Sequence, residues 1–132
     1  MSQWVLDAYA VIAFLENEPG AEKVEKILIS GKDKEDALLM TAVNYGEVYY
    51  SILKERGKKV AEEEIKKIDT LRIEVIPVDA SLAKIAGEYK ASKKMSYADC
   101  FAGALAKQKN GYLITGDKEF KEIEQEIKMI WV

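Results

Sequence analysis

Trp4-Val5-Leu6-Asp7-Ala8-Tyr9-Ala10-Val11-Ile12-Ala13-Phe14-Leu15 decides the fold. Three apolar residues stop at an acid, and Ala10, Val11, Phe14 and Leu15 then recur at helical spacing. The stretch reads as a short buried strand whose carboxyl end runs through Asp7 into a helix. The same pattern returns along the chain. After Pro19-Gly20 a helix is predicted over 21–29, then Gly31 and a charged loop. Leu38-Leu39-Met40-Thr41 is a second strand, followed by helices over 43–56 and 59–71, with Gly57 placed to end the first. Glu74-Val75-Ile76-Pro77-Val78 is a third strand, followed by a helix over 80–92. Ser96 opens a further helix that ends near Asn110-Gly111. Tyr112-Leu113-Ile114-Thr115 is a fourth strand, Gly116-Asp117 turns into a short helix around Phe120, and 127–132 is a last strand. Short apolar strands alternating with helices predict an α/β domain with a mostly parallel central sheet and right-handed crossovers.

Composition narrows the chemistry. The 132 residues are 48% apolar and 33% charged, which fits one folded domain over 1–132. Twenty basic and 23 acidic residues give a net charge of -3, unlike the basic balance of a duplex-DNA binder. There is no histidine, which removes histidine-based triads and histidine-bound zinc. The one cysteine, Cys100, excludes an intrachain disulfide and a multi-cysteine metal site. Met1-Ser2-Gln3 leads straight into the first strand without a basic or apolar leader, so a cytoplasmic location is expected, with no membrane partner.

In open α/β sheets ligands bind beyond the carboxyl ends of the strands. Asp7 follows the first strand, and Thr115 and Asp117 follow the fourth. Glu47 lies in the second turn of the helix after Thr41, and Asp99 in the first turn of the helix that returns to the fourth strand. Four carboxylates from four segments can therefore meet at one edge. Two unit charges ~4 Å apart repel by about 4 kcal/mol at an effective dielectric of 20. Convergence would call for a cation, and an all-oxygen set suits Mg²⁺ or Mn²⁺. Setting those four aside leaves 19 acidic against 20 basic residues, so the rest of the chain does not repel a polyanion. Structural roles compete with this one. Asp7 and Asp117 can each cap a helix, and Ser96-Tyr97-Ala98-Asp99 fits a capping box.

These segments resemble the PIN-domain family, in particular the VapC-type toxin ribonucleases of toxin–antitoxin pairs. The resemblance runs through Val5-Leu6-Asp7, Thr41-Ala42-Val43-Asn44-Tyr45-Gly46-Glu47-Val48, Met95-Ser96-Tyr97-Ala98-Asp99-Cys100-Phe101-Ala102 and Leu113-Ile114-Thr115-Gly116-Asp117-Lys118-Glu119-Phe120, in family order. It implies a three-layer α/β/α sandwich and a Mg²⁺- or Mn²⁺-dependent endoribonuclease. Asp7, Glu47, Asp99 and Asp117 would form the acidic metal site, with Thr115 as the accompanying hydroxyl. The implied products carry 5′-phosphate and 3′-hydroxyl ends. The implied partners are RNA, an antitoxin protein and a second copy of the chain. One position departs from the family: Ser, Thr or Asn is common two residues after the first acid, where this chain has Tyr9. A different hydrogen-bond pattern around Asp7 is expected, with consequences for activity or substrate preference.

Lys54, Arg56, Lys58 and Lys59, or Lys90, Lys93 and Lys94, are candidate phosphate contacts. Tyr45, Tyr49 and Tyr50 are candidate base-stacking groups, against core packing or a dimer face as the plainer role. Three other functions compete. The first is a phospho-receiver with Asp79 as acceptor and Thr115 as switch. The second is a PIN-like RNA- or protein-binding module without catalysis. The third is a PIN ribonuclease of RNA maturation or decay with no antitoxin.

Overall fold

The computed structural model describes residues 2–30 and 36–132; the charged loop expected after Gly31 lies outside them. The elements in chain order are β1 (Gln3–Leu6), α1 (Ala8–Leu15), α2 (Ala21–Ser30), β2 (Ala37–Thr41), α3 (Ala42–Arg56), α4 (Lys58–Thr70), β3 (Ile73–Ile76), α5 (Ala80–Ser92), α6 (Tyr97–Lys109), β4 (Tyr112–Thr115), a 3-10 helix (Lys118–Ile123) and β5 (Lys128–Trp131). The expected elements all form, and their ends have local causes. Asp7 and Thr41 start α1 and α3 by accepting the N–H groups of Ala10 and Asn44. Gly57, at φ +87°, ends α3 and opens α4, a backbone geometry that side chains resist. Asn110, left-handed at φ 50°, closes α6 just before β4. The third strand stops at Ile76, short of the expected Val78, because Pro77 has no N–H for the ladder.

The sheet has the order β3-β2-β1-β4-β5, and every pairing is parallel. Parallel strands buried on both faces alternate their side chains between two cores. Leu6, Leu38, Met40 and Ile114 face one layer, where α1 to α4 contribute Val11, Val24, Leu28, Val48, Ile52 and Ile68. Val5, Leu39 and Leu113 face the other, where α5, α6 and the 3-10 helix contribute Leu82, Tyr89, Phe101, Leu105, Phe120 and Ile123. This is the α/β/α sandwich. Among the described residues no helix is long and apolar enough to cross a membrane.

The strand order positions the site. From β1 the chain moves outward through β2 to β3, then α5 and α6 carry it back to β4 on the other flank of β1. The direction of winding therefore reverses between β1 and β4, where a crevice opens at the carboxyl ends of an open sheet. Leu6 is in register with Ile114, so the next residues, Asp7 and Thr115, stand side by side at that reversal. Asp79, by contrast, caps α5 beyond the edge strand β3, with β2 and β1 between it and β4. The pair that a phospho-receiver needs is thus far apart.

Candidate functional site

Asp7 is 1% exposed, and both of its carboxylate oxygens are engaged. Oδ1 accepts the Ala10 N–H at 2.8 Å, and Oδ2 accepts the hydroxyl of Thr115. Thr115 Oγ1 in turn accepts the Asp117 N–H at 2.9 Å, which ties the fourth acidic segment to the first. Asp117 Oδ1 accepts the Glu119 N–H at 2.9 Å and so starts the 3-10 helix. The expected capping roles of Asp7 and Asp117 are thus real, and they aim both side chains at the same sheet edge.

The capping box at Ser96 is only half formed. Ser96 Oγ accepts the Asp99 N–H at 3.2 Å, but Asp99 does not close the box. Glu119 takes its place, and Glu119 Oε1 accepts the Ser96 N–H at 2.8 Å. Glu122, one turn on, accepts the Lys94 N–H at 3.0 Å. The 3-10 helix therefore grips the segment before α6 from outside, and the Asp99 carboxyl is left to face the other acids.

Glu47 reaches the cluster through a residue that sequence reasoning missed. Asn44 is fully buried on α3. It accepts the Thr41 hydroxyl at 2.5 Å and donates from Nδ2 to Ala98 O at 3.1 Å and to Glu47 Oε1 at 3.4 Å. One amide thus links the end of β2, the first turn of α6 and the Glu47 carboxylate. A signal for it exists: Asn44, Val48 and Ile52 are the buried positions of α3, a helical stripe with one polar member. Glu119, the other missed residue, sits in an ordinary charged stretch and carries no such mark.

The electrostatics follow from burial without compensation. Burial lifts the Asp7 carboxyl from 3.8 to about 7; the Thr115 and Ala10 hydrogen bonds pull it down, and the charges of Asp117 and Glu47 push it up. Glu47 is raised by partial burial and by Asp117 and Glu119, against the Asn44 bond. Asp99, 6% exposed, is raised by burial and by its hydrogen bond to Glu119, with Asp117 and Asp7 adding repulsion. Glu119 moves down, held ionised by Asp99, the Ser96 N–H and nearby Lys90. Asp99 moves up and Glu119 down because Asp99 is the buried partner. The recorded ion pairs, Arg56–Glu16, Lys67–Glu64 and Lys93–Glu126, lie outside the cluster.

The charge of Asp117 thus raises Asp7, Glu47 and Asp99, while Glu47 acts on Asp7 and Asp7 on Asp99, which ties the four segments together electrostatically. Among the described residues, no three acidic or thiol side chains are closed up into a metal cage. Both Asp7 oxygens are on protein donors, the Ala10 N–H and the Thr115 hydroxyl. The four carboxylates offer hard oxygen donors, the kind that suits a divalent cation.

The candidate substrate contacts divide. Arg56 is paired with Glu16, Lys93 with Glu126, and Lys90 donates to Met95 O, while Lys54, Lys58, Lys59 and Lys94 are exposed. Tyr45 and Tyr49 pack against the core, and Tyr49 donates to Glu62, whereas Tyr50 is exposed.

A family model for the PIN domain matches residues 4–126, the span from β1 through the whole acidic network. The chain belongs to the PIN-domain family. Solved PIN structures overlay nearly its full length. A DNA-bound VapBC from Salmonella typhimurium matches at TM-score 0.80 and 18% identity, covering 98% of each chain. VapBC2 from Rickettsia felis, bound to a promoter DNA fragment, matches at TM-score 0.78 and 17% identity, covering 97% of each. VapC20 from Mycobacterium tuberculosis, a toxin that cleaves the sarcin–ricin loop, matches at TM-score 0.76 and 14% identity, covering 98% of this chain and 99% of that one. A search of curated proteins finds no match. At these identities the overlays describe the PIN fold.

Proposed function

We propose that this PIN domain is a divalent-metal-dependent endoribonuclease and the toxin of a VapBC-type pair. The observation that carries the reading is Asp7, buried against Thr115 at the strand-order reversal and electrostatically coupled to Glu47 and Asp117. A buried carboxyl raised further by neighbouring acids is a group that a ligand supplying positive charge would stabilise.

Asp7, Glu47, Asp99 and Asp117 would hold Mg²⁺ or Mn²⁺, directly or through water. When bound, the ion supplies an activated water and a polarised phosphoryl oxygen. The protein's own part is orientation and proton release. Thr115 fixes Asp7 by its hydroxyl and the backbone of Asp117 by its lone pair. Asn44 holds Glu47 toward α6. Asp99 would release the proton it shares with Glu119 in order to hold the ion. With no histidine in the chain, base catalysis rests on these carboxylates and the ion.

The Salmonella and Rickettsia neighbours were solved as VapBC assemblies, which supports an antitoxin partner, and the family resemblance adds a homodimer. Calorimetric titration of Mn²⁺ into EDTA-stripped protein tests the reading. Binding is expected in the wild type and lost in Asp7→Asn and Asp99→Asn. Equal binding by all three proteins would overturn the assignment.

A further inference from the structure

We propose that Tyr9 is a stacking platform for a nucleobase at the mouth of the acidic cluster, and so a substrate-positioning residue. Tyr9 is the second residue of α1, two positions after Asp7, and is 42% exposed. Its neighbours Ala8, Ala10 and Val11 belong to the core, while Tyr9 belongs to neither core cluster. Removing its ring therefore opens no cavity. Among the described residues its hydroxyl has no partner, so no hydrogen bond holds the ring where it lies.

What holds it is a seat. The ring lies on Gly116, the residue between Thr115 and Asp117. A Cβ built at position 116 would overlap Tyr9 Cε1 and come within 2.8 Å of Cζ and 3.0 Å of Cδ1. The backbone at Gly116 is not left-handed, so conformation alone does not require glycine there. The approach of the ring does. An exposed aromatic is thus laid on the peptide that connects the hydroxyl bonded to Asp7 with the fourth acid. The other exposed tyrosines are placed differently: Tyr97 leans on Phe101, ring centroids 4.8 Å apart, and Tyr50 lies in the second half of α3.

The chemistry of the site gives this placement a use. Carboxylates repel the phosphates they must approach, so a nucleic acid needs an uncharged hold beside them. Every base offers a π-face, and aromatic stacking supplies such a hold to single strands with little dependence on sequence. This role rests on the ribonuclease reading, in that it assigns the substrate of the same site as single-stranded RNA.

The test uses the full chain in an Asp99→Asn background, which blocks cleavage. Fluorescence anisotropy follows a labelled single-stranded RNA of mixed sequence and an abasic ribose–phosphate strand of the same length. Tyr9→Ala is expected to weaken RNA binding roughly 5- to 150-fold, the range for one lost base stack. Tyr9→Phe should bind as Tyr9 does, and Tyr9→Ala should leave abasic-strand binding unchanged. A packing role would weaken both strands alike, and that result, or no effect of Tyr9→Ala, or no RNA binding at all, overturns the proposal. Incubating the same RNA with wild-type protein and Mn²⁺ keeps the two claims apart. Uncut RNA that still shows the Tyr9-dependent difference retains the platform and refutes the nuclease; cut RNA without that difference does the reverse.

Discussion

Replacing Asp7 by Asn should change how the metal-free protein responds to pH. Burial raises the Asp7 carboxyl from 3.8 to about 7, so the folded chain holds this proton more tightly than the unfolded chain does. Stability from this source is therefore complete below pH 3.8 and is lost as pH rises to about 7. At 1.36 kcal/mol per pKa unit, the full loss is about 4 kcal/mol, of which about 2–3 kcal/mol falls between pH 5 and pH 8. Asp7→Asn removes the titration. It also disturbs the Thr115 hydroxyl bond, but that cost does not depend on pH. Urea unfolding in EDTA at pH 5 and pH 8 measures the difference. The wild type should lose about 2–3 kcal/mol more than Asp7→Asn across this interval. Parallel losses would show that Asp7 is not held protonated, and the electrostatic account of the site would fail with it.

Further outcomes follow from the same network. Asp99→Asn should abolish RNA cleavage yet make the metal-free protein more stable at pH 8, since an amide can donate to Glu119 without taking up a proton that the unfolded chain releases; a cleavage assay and urea unfolding on one preparation check both. Asn44→Ala leaves Thr41 and Ala98 O without their partner and should cost about 1–3 kcal/mol while lowering activity, read by unfolding and cleavage rate. Glu119→Ala should raise the Mn²⁺ concentration needed for half-maximal cleavage, with Glu119→Gln restoring much of the loss because its carbonyl can still accept the Ser96 N–H. Gly116→Ala should push the Tyr9 ring off its seat and reproduce the RNA-binding defect of Tyr9→Ala.

The sheet and the acidic edge were legible because their causes are local. A short apolar run that stops at Asp7 or Thr115 marks both a strand and the place where its carboxyl end meets solvent. Asp7 and Asp117 both cap the helices that follow them, and capping is compatible with the proposed site chemistry. A side chain that caps a helix after a parallel strand has its oxygen at the crevice already. The Ser96 capping box was legible only in part, because the group that completes it, Glu119, comes from a segment 23 residues away. Asn44 is a similar case. Its partners Thr41 and Glu47 are near in sequence, but the carbonyl of Ala98, 54 residues on, is what makes it a tie between α3 and α6. The seat of Tyr9 on Gly116 needs the packing of α1 against the end of β4, which no periodicity reports.

The most direct measurement is cleavage of labelled RNAs by purified protein with Mn²⁺, with Mg²⁺ and with EDTA, beside Asp99→Asn. A nuclease built on these carboxylates cuts with either or both metals, stops in EDTA, and is silent in the folded variant. Cleavage that persists in EDTA or in Asp99→Asn would contradict it, as would intact RNA from a folded, partner-free wild type that has been shown to bind the ion.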